Sequence, residues 1–221
     1  MKALFLLPIY FVCAYCNAQD TLSKWSWGGV VGVERHYRSL NSESIQADVA
    51  DSWNEIETPA WRISGGLKVE WTPIERFSIS TGVLYVDRGY RIDTLSDARL
   101  NNLEYHFRYL DIPVGFYYTG RKNNKNRLFA GAAMNAGFAL SNVLFYNKDG
   151  QTAQFKMPAD EATFPMILNV SASLGVRRSI TNNASVDLYI NGIQSLKPIS
   201  EGALERRFNS VGLFVSILNR F

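Results

Sequence analysis

The feature that most constrains the fold of this chain is a period-two alternation of apolar and polar residues, which recurs in eight separate stretches. In the clearest stretch, FPMILNVSASLGV at 164–176, every second residue is apolar and most of the residues between are small or polar. Successive side chains of a β-strand point to opposite faces, so this spacing predicts strands and not helices. The eight strands are predicted at about 25–37, 61–71, 77–88, 105–118, 128–145, 164–177, 185–191 and 208–221.

The segments that connect these strands alternate in length. Three links are short, TPIE at 72–75, GRKNNKNR at 120–127 and ITNN at 180–183, whereas the other four are longer. In an up-and-down barrel this alternation places every long loop at one end and both termini at the other. Barrels of the bacterial outer membrane have an even number of strands, short periplasmic turns and long external loops. The sequence therefore predicts an all-β fold, an eight-stranded antiparallel up-and-down transmembrane β-barrel of the outer membrane with both termini in the periplasm.

A soluble barrel with an apolar lumen is the alternative, because alternation alone does not say which face points outward. Aromatic residues at both ends of the apolar faces favour a membrane, where aromatic girdles mark the two interfaces. Along WRISGGLKVEW, residues 61–71, ten steps of ~3.3 Å tilted by ~40° rise about 25 Å, the height of the apolar band of such barrels. The predicted interface aromatics are Trp25, Trp27, Tyr37, Trp61, Trp71, Phe77, Tyr85, Phe164 and Phe221.

The beginning of the chain has the pattern of a secretory signal peptide. Lys2 precedes an apolar stretch, and small residues precede a cleavage site after Ala18. Lipid modification of Cys16 is the alternative. We expect residues 1–18 to be the signal peptide and residues 19–221 to be the barrel domain, which would hold no cysteine because both cysteines lie in the first segment. The net charge of +3 gives no indication of nucleic-acid binding.

The polar faces of the strands carry charged residues of both signs. Because an eight-stranded barrel has an interior just wide enough for side chains to fill, these charges must be paired. The sequence predicts a plugged lumen with one polar layer near the short turns and another at or above mid-height; a narrow ion path is the alternative. The layer near the short turns comprises Lys68, Glu70, Arg76, Arg177, Asp187 and Arg220, and the higher layer comprises Glu34, Arg62, Arg88 and Asp111.

The two histidines are the candidates for catalysis. His36 and His106 are predicted near the long loops, where Glu34 could orient a histidine base beside a serine. Candidate serines are Ser39, Ser42 and Ser44. Since no recognisable catalytic motif surrounds these residues, we predict that the protein is not an enzyme, with a lipid-modifying enzyme as the alternative. The acids and histidines lack the spacing of a zinc or calcium site, and no cofactor is predicted.

The segment RYLDIPVGFYY, residues 108–118, resembles a strand of the PorT-like outer-membrane β-barrel proteins of the Bacteroidetes. The end of the signal segment, NAQ at 17–19, is also similar to theirs. The resemblance implies the same barrel over the whole mature chain. It also implies one alternative role, that of an accessory barrel of a protein secretion system, because the protein that gives the family its name is associated with secretion.

The leading functional prediction is a structural or interaction role, with contacts made by four external loops. The first loop, at about 38–60, is the longest and is the candidate recognition surface for a protein partner. Its acidic residues are Glu43, Asp48, Asp51, Glu55 and Glu57.

Two further contacts are predicted for the barrel itself. Outer-membrane lipid would cover the apolar face, and the C-terminal strand ending at Phe221 resembles the signal read by the barrel-insertion machinery. The outward face of the fifth strand, with Ala130, Ala132 and Ala136, could also let another barrel or helix approach closely.

Overall fold

The computed structural model describes residues 24–41, 55–92, 100–121, 125–148, 151–157, 165–198 and 205–220. No helix within these ranges has the length and apolar character needed to cross a membrane. The described residues form nine β-strands. These are β1 (Trp25–Asn41), β2 (Glu57–Ile74), β3 (Phe77–Ile92), β4 (Leu100–Thr119), β5 (Asn126–Lys148), β6 (Gln151–Met157), β7 (Met166–Ser179), β8 (Ala184–Ser195) and β9 (Glu205–Arg220).

Eight of the nine strands form a closed antiparallel ring. Strands β1 to β5 pair in sequence order, β5 continues to β7, β8 and β9, and β9 pairs back onto β1. The predicted eight-stranded antiparallel barrel is therefore confirmed. The ninth strand, β6, was not predicted, because its sequence QTAQFKM alternates weakly and lies in a long link. It pairs with residues 142–148 of β5, beyond the point where β7 leaves that strand.

At the long-loop end the strands are longer than the alternation predicts. β2 begins at Glu57, β3 ends at Ile92 and β5 ends at Lys148. The ladder between β1 and β9 also continues to the pair Asn41 and Glu205. Strands β9, β1, β2, β3, β4, β5 and β6 consequently form a tall wall on one side of the barrel. We call this extension, beyond the height of Trp61, the long-loop wall.

The two faces of the ring have the opposite polarity to those of a soluble barrel. Outward side chains are large, apolar and exposed, with Trp61 at 63% and Ile63 at 66% of full exposure. Inward side chains include fully buried charged groups such as Glu70 and Asp187. Burying charges while exposing apolar groups is favourable only where lipid surrounds the ring. The soluble-barrel alternative is therefore wrong.

The ladder between β2 and β3 is interrupted near the long-loop end. Pairing stops between Pro59–Tyr90 and Ser64–Val86, so residues 60–63 of β2 face residues 87–89 of β3 without regular pairing. Residues 60–63 still pair with β1, and residues 87–89 still pair with β4. The extra residue on β2 makes this a β-bulge, which locally opens the wall of the barrel.

Candidate functional site

The lumen near the short turns is filled by a four-residue ion cluster centred on Arg177. Its guanidinium donates to Glu70 at 2.6 and 2.8 Å and to Asp187 at 2.7 and 2.8 Å. Lys68 Nζ lies 3.5 Å from Glu70 Oε2 and 4.5 Å from the ring centre of Tyr117. The cluster joins strands on opposite sides of the ring, and its two cations balance its two carboxylates. Such balance is what allows four charges to be buried in a narrow space.

A second polar layer lies nearer the long loops. Arg88 donates to both carboxylate oxygens of Asp111, at 3.2 and 2.5 Å, and Arg88 is almost fully buried. Glu34 is held by hydroxyl donors instead, accepting from Ser64 at 2.5 Å and from Ser210 at 2.8 Å. These contacts each join neighbouring strands, β1 to β2, β1 to β9 and β3 to β4, and their buried side chains occupy the lumen in this layer.

A hydrophobic cluster lies above this polar layer, inside the long-loop wall. Tyr90 stacks on Tyr105 with ring centres 4.7 Å apart, and Phe208 packs on Phe107 at 5.1 Å. Arg38 lies over the Tyr90 ring at 4.0 Å. The buried members of this apolar plug are Tyr90, Ile92, Leu103, Phe107, Tyr109, Ile167 and Phe208. This plug was not predicted from the sequence, since only polar residues were expected in the lumen.

Inward-facing glycines make room for aromatic rings of neighbouring strands. A Cβ built on Gly131 would lie 2.2 Å from the Tyr117 ring, and one on Gly32 would lie 2.3 Å from Phe214. These rings fill space that the glycines leave empty, so the glycine-rich face does not indicate an open channel. The described lumen still contains a cavity of about 50 Å³ beside Lys68 and Asp111, which has room for a few water molecules.

Eight of the ten predicted lumen residues are buried, seven of them inside the ring and Arg62 where its side chain reaches Glu104 of β4. They are Glu34, Arg62, Lys68, Glu70, Arg88, Asp111, Arg177 and Asp187. Arg76 and Arg220 differ, because Arg76 lies in the turn between β2 and β3 and Arg220 ends β9. Both are half-buried, and neither has an ion-pair partner among the described residues.

The predicted interface aromatics that the structure describes all lie on the outward face. Trp25 and Trp71 stack at 6.0 Å, and Phe77 packs edge-on against Tyr118 at 5.2 Å. The predicted aromatics found on the outward face are Trp25, Trp27, Tyr37, Trp61, Trp71, Phe77 and Tyr85. Phe164 and Phe221 lie outside the described residues.

Neither histidine is paired with Ser39, the one candidate serine of the catalytic alternative that lies within the described residues. His36 is fully buried in the lumen, whereas Ser39 follows on the opposite face of β1. His106 lies on the outward face of β4, where its Nδ1 is 2.7 Å from Asp87 Oδ2. Ser42 and Ser44 lie outside the described residues. No group of three metal-ligating side chains occurs in the described part of the chain.

The first long loop is shorter than predicted, because β1 and β2 extend into the range 38–60. Arg38 Nε donates to Glu57 Oε2 at 2.8 Å, and both side chains are almost fully buried. Glu57 is therefore part of the long-loop wall and is not a free acid of a recognition surface. Glu43, Asp48 and Asp51 lie outside the described residues.

The closed ring, apolar outer face and ion-paired lumen define an integral membrane β-barrel of the outer-membrane type. The family model described as "Outer membrane protein beta-barrel domain" matches residues 17–197. The chain belongs to this family of outer-membrane β-barrel proteins.

Solved structures share this fold at low sequence identity. Neisserial surface protein A matches with a TM-score of 0.53 and 10% identity, over 91% of this chain and 100% of that chain. OprG from Pseudomonas aeruginosa matches with a TM-score of 0.54 and 10% identity, over 90% of this chain and 96% of that chain. No curated protein matches the sequence. At such identities the similarity shows the common barrel fold alone.

Proposed function

We propose that this outer-membrane barrel is a sealed anchor that presents its long-loop wall for recognition, and that it is neither a pore nor an enzyme. The main support for this proposal is that side chains fill the lumen at three successive heights. Arg177 and its carboxylates occupy the lowest level, Arg88 and Asp111 the middle level, and the apolar plug the highest. Ions would have to break buried ion pairs and then cross an apolar layer, which is costly.

Conductance tests the sealed lumen directly. The refolded protein in planar bilayers should give no steady single-channel steps, whereas an open porin in the same bilayers should give them. Substituting Phe107 and Phe208 together by alanine should leave the protein closed, because the two lower polar layers remain. Steady steps from the unsubstituted protein would refute the proposal.

Under this proposal the long-loop wall faces the outside of the cell and both termini face the periplasm. Support comes from the length alternation of the connections and from the signal-peptide pattern of residues 1–18. The β9 strand would then be read by the insertion machinery before it closes on β1. Lys156 in β6 and Asn182 in a short turn are both exposed. In intact cells, a cysteine placed at position 156 should be labelled from outside and a cysteine placed at position 182 should not. Labelling at position 182 alone would reverse the orientation.

We also place the protein among PorT-like barrels of the Bacteroidetes, on the basis of RYLDIPVGFYY. In β4 this segment supplies Tyr109, which is buried in the apolar plug, and Asp111, which pairs with Arg88. The motif therefore serves to fill the lumen. If the protein acts in secretion, deleting its gene should change the set of secreted proteins; an unchanged set would limit the resemblance to the fold.

The absence of catalysis is tested on the outer-membrane lipids. His106 is the histidine closest to lipid, and His36 is enclosed by the lumen. We expect His36→Ala and His106→Ala to leave the lipid A mass spectrum unchanged. A mass change that depends on either histidine would favour the lipid-modifying alternative.

A further inference from the structure

The interruption between β2 and β3 forms a groove on the outward face of the barrel, at the long-loop edge of the apolar band. The groove has a volume of about 710 Å³. Its lining is apolar on the lipid side and carries two charged groups, Arg62 and Asp87. The lining residues are Val33, Trp61, Arg62, Ile63, Gly65, Tyr85 and Asp87.

Arg62 passes through the wall at this groove. Its backbone pairs with Glu34, a lumen residue, yet its Nη1 lies 2.8 Å from Glu104 Oε1, and Glu104 belongs to the outward set of β4. The Arg62 guanidinium lies beside Gly89 of β3, since a Cβ built on Gly89 would be in ordinary contact with Arg62 Nη2 at 3.5 Å. Arg62 is only 8% exposed, and its Nε and Nη2 have no hydrogen-bond partner among the described residues. The groove thus has a buried cation with unused donors at its floor.

Cations outnumber acids around the groove. Glu104 lies within ion-pair distance of both Arg62 and Arg91, and Asp87 lies within ion-pair distance of His106. One arginine on each side of the groove has no ion-pair partner in the described ranges. These are Arg35 of β1, which pairs with Trp61 of β2, and Arg108 of β4, which pairs with Asp87 of β3. Four arginines therefore face two acids, and the free positive charge flanks an apolar cleft. Amphipathic ligands with an anionic headgroup fit this arrangement by charge and by polarity.

We propose that the groove between β2 and β3 binds a phosphorylated glycolipid of the lipid A type, with acyl chains against Val33 and Ile63 and phosphate held by Arg35 and Arg108. This proposal rests on the proposed orientation, which places the groove in the outer leaflet. Arg35 and Arg108 are three strand spacings apart, about 14 Å at ~4.8 Å per strand. A sugar headgroup spans this separation better than the single phosphate of a phospholipid.

The test is native mass spectrometry of the refolded full barrel with three probes: lipid A, dephosphorylated lipid A and phosphatidylglycerol. Lipid A should be retained as one bound molecule, and the other two should bind at least about tenfold more weakly, since a charged hydrogen bond contributes about that much. Arg35→Gln and Arg108→Gln should each weaken lipid A binding by a similar factor. Arg178→Gln is the matched control, because Arg178 is an exposed arginine near the short turns.

Several results would overturn this inference. Equal retention of phosphatidylglycerol and lipid A would do so, as would an Arg178→Gln effect as large as that of Arg108→Gln. Arg62→Met is not the primary variant, because it alters the lumen and could prevent folding; heat-modifiable gel migration verifies folding of every variant. The binding test does not depend on orientation, so reversed cysteine labelling would refute the orientation while leaving the measured affinity unaffected.

Discussion

Removing the Arg177 side chain tests whether ion pairing in the lumen stabilises the barrel. Arg177 donates four hydrogen bonds of 2.6–2.8 Å to two almost fully buried carboxylates. In Arg177→Met those carboxylates would share Lys68 as their one remaining cation within the cluster. Breaking a buried pair by removing one partner costs about 3–5 kcal/mol, because a buried charge is left uncompensated. We therefore expect the free energy of unfolding to fall by that amount.

Urea titration of the barrel in phospholipid vesicles measures this loss, with tryptophan fluorescence and gel migration as two readouts. Arg178→Met is the control, since the neighbouring side chain is exposed and lies on the opposite face of β7. The double variant Glu70→Gln with Arg177→Met returns the cluster to one cation, Lys68, and one carboxylate, Asp187. Its loss should be smaller than the sum of the two single losses by about 0.5–3 kcal/mol.

A loss below about 1 kcal/mol in Arg177→Met, the range of exposed ion pairs, would refute stabilisation by the cluster. An equal loss in Arg178→Met would also refute it, because the effect would then come from lost charge near the membrane surface. Strict additivity in the double variant would show that Glu70 and Arg177 do not stabilise each other.

Two further substitutions test the packing of the lumen. Phe208→Ala in the apolar plug should destabilise the barrel by about 3–5 kcal/mol in urea titration. Val211→Ala on the lipid face should cost clearly less, because it leaves no internal cavity. Equal losses in the two variants would contradict a packed plug. Gly131→Ala should cost about 1–3 kcal/mol because its Cβ would collide with the Tyr117 ring, and Gly192→Ala should cost little because nothing lies within 4 Å of the added Cβ. A harmless Gly131→Ala would contradict the close approach of that ring.

The ring could be predicted from the sequence because its physical cause is local. Lipid requires every second residue to be apolar, so stretches such as MILNVSASLGV in β7 show the strand directly. The alternation weakens beyond the apolar band, where the outward face meets water and headgroups. This is why the long-loop ends of β2 and β3, and the whole of β6, were not predicted.

The membership of the polar layers could be predicted, but their pairing could not. An inward position follows from counting along one strand, whereas the contact between Glu70 and Arg177 depends on the stagger of strands far apart in the chain. The apolar plug was missed for a different reason. Tyr90 and Phe208 have the inward parity, but Tyr90 lies beyond the predicted end of β3 and the inward faces were expected to be polar.

The lumen and the groove divide the charged residues of this barrel into two functional kinds. Charges such as Arg177 and Asp111 are neutralised inside the ring, so they stabilise the fold and offer nothing to a ligand. Arg62 differs because the open β2–β3 ladder lets one lumen side chain reach the outer surface. A complete ladder would have kept that cation in the lumen. The β-bulge therefore connects the lumen to the lipid-facing side, and under the proposals made above recognition need not be confined to the loops.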